Sequence, residues 1–238
     1  MTNQPLNIVA ILAGGTGSRM GADKPKQFLP LGEMMVIEHT IVAFERHEAI
    51  DAIIIVVHSD WLDFLNELVA KHHWHKVRAV VVGGKERYHS TLAAIEAASL
   101  IDADCRLLIH DAARPLVSHR IIGDVVMALN DYRAVAVGLP STDTIWKVSL
   151  HEGLLPTVDQ VPMRNLMYRA QTPQAFHLSL LREAYQRVLS SENYQPTDDC
   201  GVLRRAFPNE PVAVVVGEER NLKITTPEDL KWAKMLLL

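Results

Sequence analysis

The sequence predicts an α/β protein with a Rossmann-like open, mostly parallel sheet flanked by helices, and with a β-hairpin arm projecting from it. Three observations carry the prediction. Short β-branched or apolar runs alternate with helical patterns as far as Val137, which is the signature of a parallel sheet covered on both faces. A glycine-rich turn follows the first run at once. Residues 139–173, with four prolines, then break the rhythm.

Ile8 to Leu12 is an uninterrupted apolar run, suited to a central strand buried on both faces. Met34 to Phe44 has apolar residues at helical spacing, and Ala52 to Val57 reads as a second buried strand. Asp60 to His73 is helical, with Trp61, Phe64, Leu65 and Leu68 on one face. Val77 to Val82 is a third strand, closed by Gly83 and Gly84, and Ser90 to Leu100 an Ala-rich helix. Arg106 to His110 is a fourth strand, Ile121 to Leu129 a helix and Ala134 to Val137 a strand. Across about residues 139–168, the segments Thr144 to Val148 and Leu154 to Val161 flank Gly153 as a hairpin. Two strands alone are marginal in water, so the arm is expected to pack against a second subunit. Helices follow at Leu178 to Leu189 and near Asp198 to Ala206, then a strand at Pro211 to Val216. Thr226, Pro227 and Asp229 open a last helix that runs to the C-terminus. One domain is expected over residues 1–238, without repeats or a linker.

A net charge of −4 argues against a general nucleic-acid or anionic-membrane binder. Cys105 and Cys200 are too few for a disulfide framework, which suits a reducing cytoplasm, and no apolar run is long enough to span a bilayer.

The chemistry concentrates after the first strand. Gly14, Gly15 and Gly17 leave backbone N–H groups unobstructed, and Arg19, Lys24 and Lys26 follow within the same stretch. Glycine amides plus fixed cations form a polyphosphate cradle. The spacing is not that of a dinucleotide fingerprint, because the third glycine of G-x-G-x-x-G from Gly15 would fall on Met20. A Walker A loop fails as well, since no glycine here precedes Lys and a hydroxyl. Gly83, Gly84 and Asp111 follow later strands at the same carboxyl-terminal rim, where open sheets bind ligands.

With these residues in place, the chain resembles the cytidylyltransferases that attach CMP to a polyol phosphate. They act either on 2-C-methyl-D-erythritol 4-phosphate, in isoprenoid precursor synthesis, or on ribitol 5-phosphate, in teichoic acid precursor synthesis. The resemblance runs in order through LAGGTGSRMGADKPKQFLPLG, GGKERYHST, HDAARP, STDTIW, MRNLMYRAQTPQAF, TDD and NLKITTPEDL. It implies a homodimer using CTP, a polyol phosphate and Mg²⁺. It also implies catalytic roles for Arg19, Lys26 and Lys223, and nucleotide contacts from Leu12, Ala13, Gly14, Gly15, Gly84 and Ser90. Polyol-phosphate contacts would come from Asp111, Arg114, Thr144, Arg164 and Thr172, with Asp111 also near the metal. Lys85 departs from the acidic residue usual after the glycine pair, and GGKER looks closer to the ribitol-phosphate branch. Methylerythritol phosphate is the expected substrate because its enzyme is the more widespread.

Plainer readings stand beside these. Asp111 can cap the following turn, Arg114 can be its ion-pair partner, and Lys223 can be a solvated strand residue. Asp198 and Asp199 read as capping a helix rather than binding a metal. Trp61 and Trp74 read as core or interface. His72, His73 and His75 end a helix, where basic residues are favoured, rather than forming a zinc cluster. A dinucleotide-dependent oxidoreductase and a non-catalytic nucleotide-binding paralogue are the competing functions. The first lacks its third glycine. The second would be expected to lose Arg19, Lys26 or Lys223, and all three are present.

Overall fold

In a computed structural model, which describes residues 4–15, 24–190 and 196–237, β1 (Asn7–Ala13) is an interior strand of a seven-stranded sheet. On one side lie β4 (Ala52–Val57) and the edge strand β5 (Val77–Val82), all parallel. On the other lie β6 (Arg106–Asp111), β10 (Tyr168–His177), β7 (Ala134–Pro140) and β11 (Ala213–Val216). Only β10 runs antiparallel to its neighbours. Between them, β2 (Pro30–Leu31) and β3 (Met34–Met35) form a small ladder before α1 (Val36–Glu45). Met34 and Met35 therefore belong to this turn and not to the helix that their spacing suggests.

Alternating residues of β1 point to opposite faces, and both faces are buried. Val9, Ile11 and Ala13 join Ile37, Ile41, Leu65 and Ile121, from α1, α2 (Leu62–His72) and α4 (His119–Ala128). Ile8 and Ala10 join Ala94, Ala98, Leu181 and Leu203, from α3 (Arg87–Ile101), α5 (Leu178–Leu189) and α6 (Asp199–Ala206). Each fully buried aliphatic side chain contributes about 1.5–3 kcal/mol before entropy is counted, so the strand that carries the glycine turn is firmly held. A smaller cluster of Leu31, Leu116, Ile224 and Ala233 seats α7 (Pro227–Met235). That helix opens with the expected box: Thr226 Oγ1 accepts from Asp229 N–H at 3.3 Å, and Asp229 accepts from Thr226 N–H at 2.8 Å.

The sequence pattern does not announce β10. Gln171, Thr172, Pro173 and Gln174 interrupt it, and the pairing with β7 shifts register between Gln171 and Gln174. A proline is tolerated there because the ladder is already bulged. The hairpin is present but shorter than expected. β8 (Lys147–Ser149) pairs with β9 (Thr157–Gln160), and Pro156 and Pro162, which cannot donate to a ladder, flank the second strand.

The histidines at the end of α2 have ordinary work. His73 adopts φ 52° to stop the helix, and His72 contacts Glu38 at 2.8 Å while stacking on Trp74. Among the described residues, none of the three joins a grouping that could hold a metal. Trp74 is buried, and half-buried Trp61 stacks on Phe28 at 4.2 Å at the margin of the core.

Candidate active site

Chain order reverses between β1 and β6, and the crevice at their carboxyl ends is where such sheets bind ligands. A cavity of about 320 Å³ lies there, at the small end of ligand-sized pockets. Its floor is Leu12 to Gly15 from the end of β1 and Asp111 to Ala113 from the end of β6. Gln27 fixes the turn: its amide donates to Ala13 O at 2.6 Å and Gly15 O at 2.9 Å. Gln27 lies on a single 3₁₀ turn, Lys26–Phe28, pinned by buried Phe28, and that turn brings Lys26 to the cavity wall. Arg19 lies outside the described residues.

The opposite wall is the start of α3. This helix begins at Arg87, a turn earlier than the alanine pattern indicates, so both Arg87 and Ser90 reach the cavity. Close approach explains the glycines here. A Cβ on Gly83 would lie 2.5 Å from Ser90 Oγ, and one on Gly84 would lie 2.4 Å from His89 Cβ. The expected nucleotide contacts Leu12, Ala13, Gly14, Gly15, Gly84 and Ser90 thus line one cavity, together with Lys85.

Asp111 is the electrostatic centre. Its Oδ2 receives Lys223 Nζ at 2.9 Å and Arg114 Nε at 3.5 Å, while Oδ1 faces Arg87 Nε at 3.9 Å. Burial pushes its carboxyl up, but Lys223, Arg87 and Arg114 outweigh burial and hold it well below the usual carboxylate range. Lys223 reaches it from a loop outside any strand. That loop is tied down by Asn221, whose amide donates to Gln171 Oε1 and Thr172 O, and by Ile224 N–H to Ala113 O at 2.9 Å.

His110, Thr172 and Asp111 form one hydrogen-bonded unit beneath the cavity. Thr172 Oγ1 accepts the Asp111 N–H at 3.1 Å and lies 3.0 Å from His110 Nδ1, while His110 Nε2 lies 3.1 Å from Arg114 O. A neutral ring protonated on Nε2 satisfies all three contacts, because Thr172 then donates to Nδ1. Burial lowers the His110 pKa to about 4, which agrees with the neutral form.

Two expected substrate residues sit behind the cavity and not on its wall. Arg114 is buried and donates to Asn221 O at 2.8 Å, and Thr172 is buried in the unit above. The plainer reading of Arg114, a structural partner of Asp111, is the one its geometry matches. Thr144 and Arg164 lie on the arm, away from the cavity, where Arg164 Nη1 donates to Thr142 O at 3.3 Å. Asp198 caps α6, accepting from Gly201 N–H at 2.8 Å. Arg87, Gln27 and Asn221 were not marked by sequence pattern. A cation at a helix start and two lone amides carry no periodic signal.

A divalent cation fits this donor set in one way only. Asp111 and Glu86 are the carboxylates at the cavity wall, and Asp111 Oδ1 is the less committed of that residue's two oxygens. This suits a magnesium ion held chiefly by triphosphate oxygens, with no protein cage. Elsewhere, His47, Glu48 and His119 lie close together, but both His47 ring nitrogens are engaged, by His119 O and Ala49 N–H.

Comparisons with known proteins point to one family. A family model described as IspD, 2-C-methyl-D-erythritol 4-phosphate cytidylyltransferase, matches residues 7–238. The 2-C-methyl-D-erythritol 4-phosphate cytidylyltransferase of Thermobifida fusca is 41% identical over 234 residues, 98% of this chain and 94% of that protein. The bifunctional ribulose 5-phosphate reductase/CDP-ribitol pyrophosphorylase Bcs1 of Haemophilus influenzae is 40% identical over 228 residues. That match spans 96% of this chain but only 47% of the longer protein. The crystal structure of 4-diphosphocytidyl-2C-methyl-D-erythritol synthase from Anaerococcus prevotii superposes with a TM-score of 0.83 at 32% identity, covering 98% of this chain and 96% of that one. The chain belongs to the 2-C-methyl-D-erythritol 4-phosphate cytidylyltransferase family, whose members are nucleotidyltransferases.

Proposed function

We propose that this protein transfers the cytidylyl group of CTP to 2-C-methyl-D-erythritol 4-phosphate, releasing pyrophosphate. The observation that carries the reading is the cavity itself, whose wall brings together Gly14, Gly15, Lys26, Arg87, Asp111 and Lys223. The nucleophile is a phosphate oxygen, largely ionised at neutral pH because its second pKa is about 6, so no activating base is needed. The chain's task is to hold two polyanions together and to neutralise charge growing at the α-phosphorus and on the leaving pyrophosphate.

Lys26 sits beside the glycine turn and serves the triphosphate with Arg19. Lys223 serves the incoming phosphate and the α-phosphate. Ser90 and Gly84 frame the base. A bound Mg²⁺ near Asp111 would supply charge neutralisation and alignment of the phosphates.

The arm exposes Trp146 (62%), Leu150 (81%) and Leu155 (85%), an apolar surface suited to a second copy. A homodimer would place Thr144 and Arg164 at the partner's polyol site. No helix among the described residues is long and apolar enough to cross a membrane, and two free thiols suit the cytoplasm.

Ribitol 5-phosphate is the second reading, favoured by the likeness to Bcs1 and by Lys85 at the cavity. A pyrophosphate-release assay with Mg·CTP and each polyol phosphate side by side decides between them. Faster release with methylerythritol phosphate is expected, faster release with ribitol 5-phosphate reverses the assignment, and release with neither removes the reaction.

A further inference from the structure

Arg87 stands between two carboxylates of different standing. Its Nη1 is 2.8 Å from Asp199 Oδ2, and its Nε is 3.9 Å from Asp111 Oδ1. Asp111 borders the cavity, whereas Asp199 has no solvent exposure and is not part of the cavity wall. Asp199 is held from two further sides. Its Oδ1 accepts the Tyr185 hydroxyl at 2.6 Å, and its backbone N–H donates to Gln174 Oε1 at 3.1 Å. The Arg87 contact is short but off the N–H direction, so Oδ2 lacks a well-directed donor.

A buried ion pair with imperfect hydrogen bonding is a poor source of stability, because desolvation offsets much of the attraction. What it does well is fix direction. Arg87 has five N–H donors in a rigid fork, and Asp199 engages one end of it. Arg87 also lines the cavity, as Ser90 and Asp111 do.

We propose that Asp199, oriented by Tyr185, is a positioning residue that holds Arg87 away from Asp111 and aims its remaining N–H groups at the bound triphosphate. The proposal rests on the CTP reading above. Without the Asp199 charge, the nearest anion to Arg87 is Asp111, and closing a 3.9 Å gap gives a direct pair. The cavity would then lose a cation and the less committed oxygen of Asp111 in one movement. Tyr185 is the device that keeps Asp199 turned: burial and the adjacent Asp199 charge push its phenol pKa up, so the hydroxyl remains a donor.

The test is calorimetric titration of Mg·CTP into the wild type, Tyr185→Phe, Asp199→Asn, Arg87→Met and the Arg87→Met/Asp199→Asn double variant, with thermal unfolding measured on each. Asp199→Asn should weaken CTP binding about tenfold, the loss expected for one charge-assisted hydrogen bond. Tyr185→Phe should weaken it in the same direction by a smaller factor. In the Arg87→Met background, Asp199→Asn should cause no further loss. Unchanged CTP affinity in Asp199→Asn and Tyr185→Phe with a lowered melting temperature would mean a purely structural pair and overturn the proposal, as would additive losses in the double variant. If Asp199→Asn does not fold, Tyr185→Phe alone decides by the same criterion. A wild type that fails to bind CTP sinks the function and this proposal together, whereas wild-type binding with unaffected variants sinks this proposal alone.

Discussion

Acidification should destabilise the protein through His110 in a measurable window. The ring has no solvent exposure, and burial lowers its pKa from about 6.5 to about 4. The unfolded chain therefore binds a proton at a pH where the folded chain does not. The stability that neutral His110 permits is fully present above about pH 6.5 and is lost as pH falls toward 4. Two and a half pKa units set a ceiling of about 3.4 kcal/mol, and the part lost between pH 7 and pH 5 is about 1.8 kcal/mol. Protonation would also place a donor on Nδ1 facing Thr172 Oγ1 at 3.0 Å, so the hydroxyl could no longer donate there. The assay is denaturant unfolding of the protein without ligand at pH 7, 6 and 5, for the wild type and His110→Gln. His47, also held below its ordinary pKa chiefly by burial, is present in both proteins and cancels in the comparison. The wild type should lose about 1.8 kcal/mol more than the variant over that interval. Equal pH dependence in the two proteins would refute a buried neutral His110.

Two further outcomes test the site. Lys26→Ala should lower turnover roughly 10²–10³-fold with an unchanged circular dichroism spectrum, the range seen when one charge-stabilising group is removed; turnover near the wild-type rate would take Lys26 out of the mechanism. Arg164→Ala should raise the polyol-phosphate KM far more than the CTP KM, because the residue lies on the arm and not at the nucleotide cavity. Equal effects on both constants would detach the arm from the polyol site.

Legibility in the sequence followed the kind of force involved. Runs buried on both faces are legible because burial alone selects them, and the ranges read for β4, β5 and α5 coincide with those observed. β10 is illegible for the opposite reason. Its middle is polar because Gln171, Thr172 and Gln174 serve other segments: Asn221, the His110–Asp111 unit and the start of α6. No local pattern distinguishes such a stretch from a loop, since the partners that satisfy it are 24 to 62 residues away. The same holds for Arg87, whose significance depends on two carboxylates contributed by β6 and α6. Glycines and lysines beside a strand end could be read, because their chemistry is local. The residues that aim them could not.

The net charge of −4 and the chemistry of the cavity point in opposite directions, and the contrast is informative. Lys26, Lys85, Arg87 and Lys223 face the cavity against Asp111 and Glu86. A locally positive cleft in a negative protein concentrates small anions without attracting long polyanions to the rest of the surface. Asp111 sharpens this selectivity. Its charge is shared among Lys223, Arg114 and Arg87, so each is oriented before ligand arrives, and none is neutralised completely. Arg114 is also committed to backbone carbonyls, so of these three cations the ones with freedom to shift toward phosphate are Lys223 and, within the limits set by Asp199, Arg87. A triphosphate carries enough negative charge to compete with one carboxylate for Lys223, whereas a single neutral or weakly anionic ligand does not. The arrangement therefore favours a polyphosphate over a neutral or weakly anionic ligand.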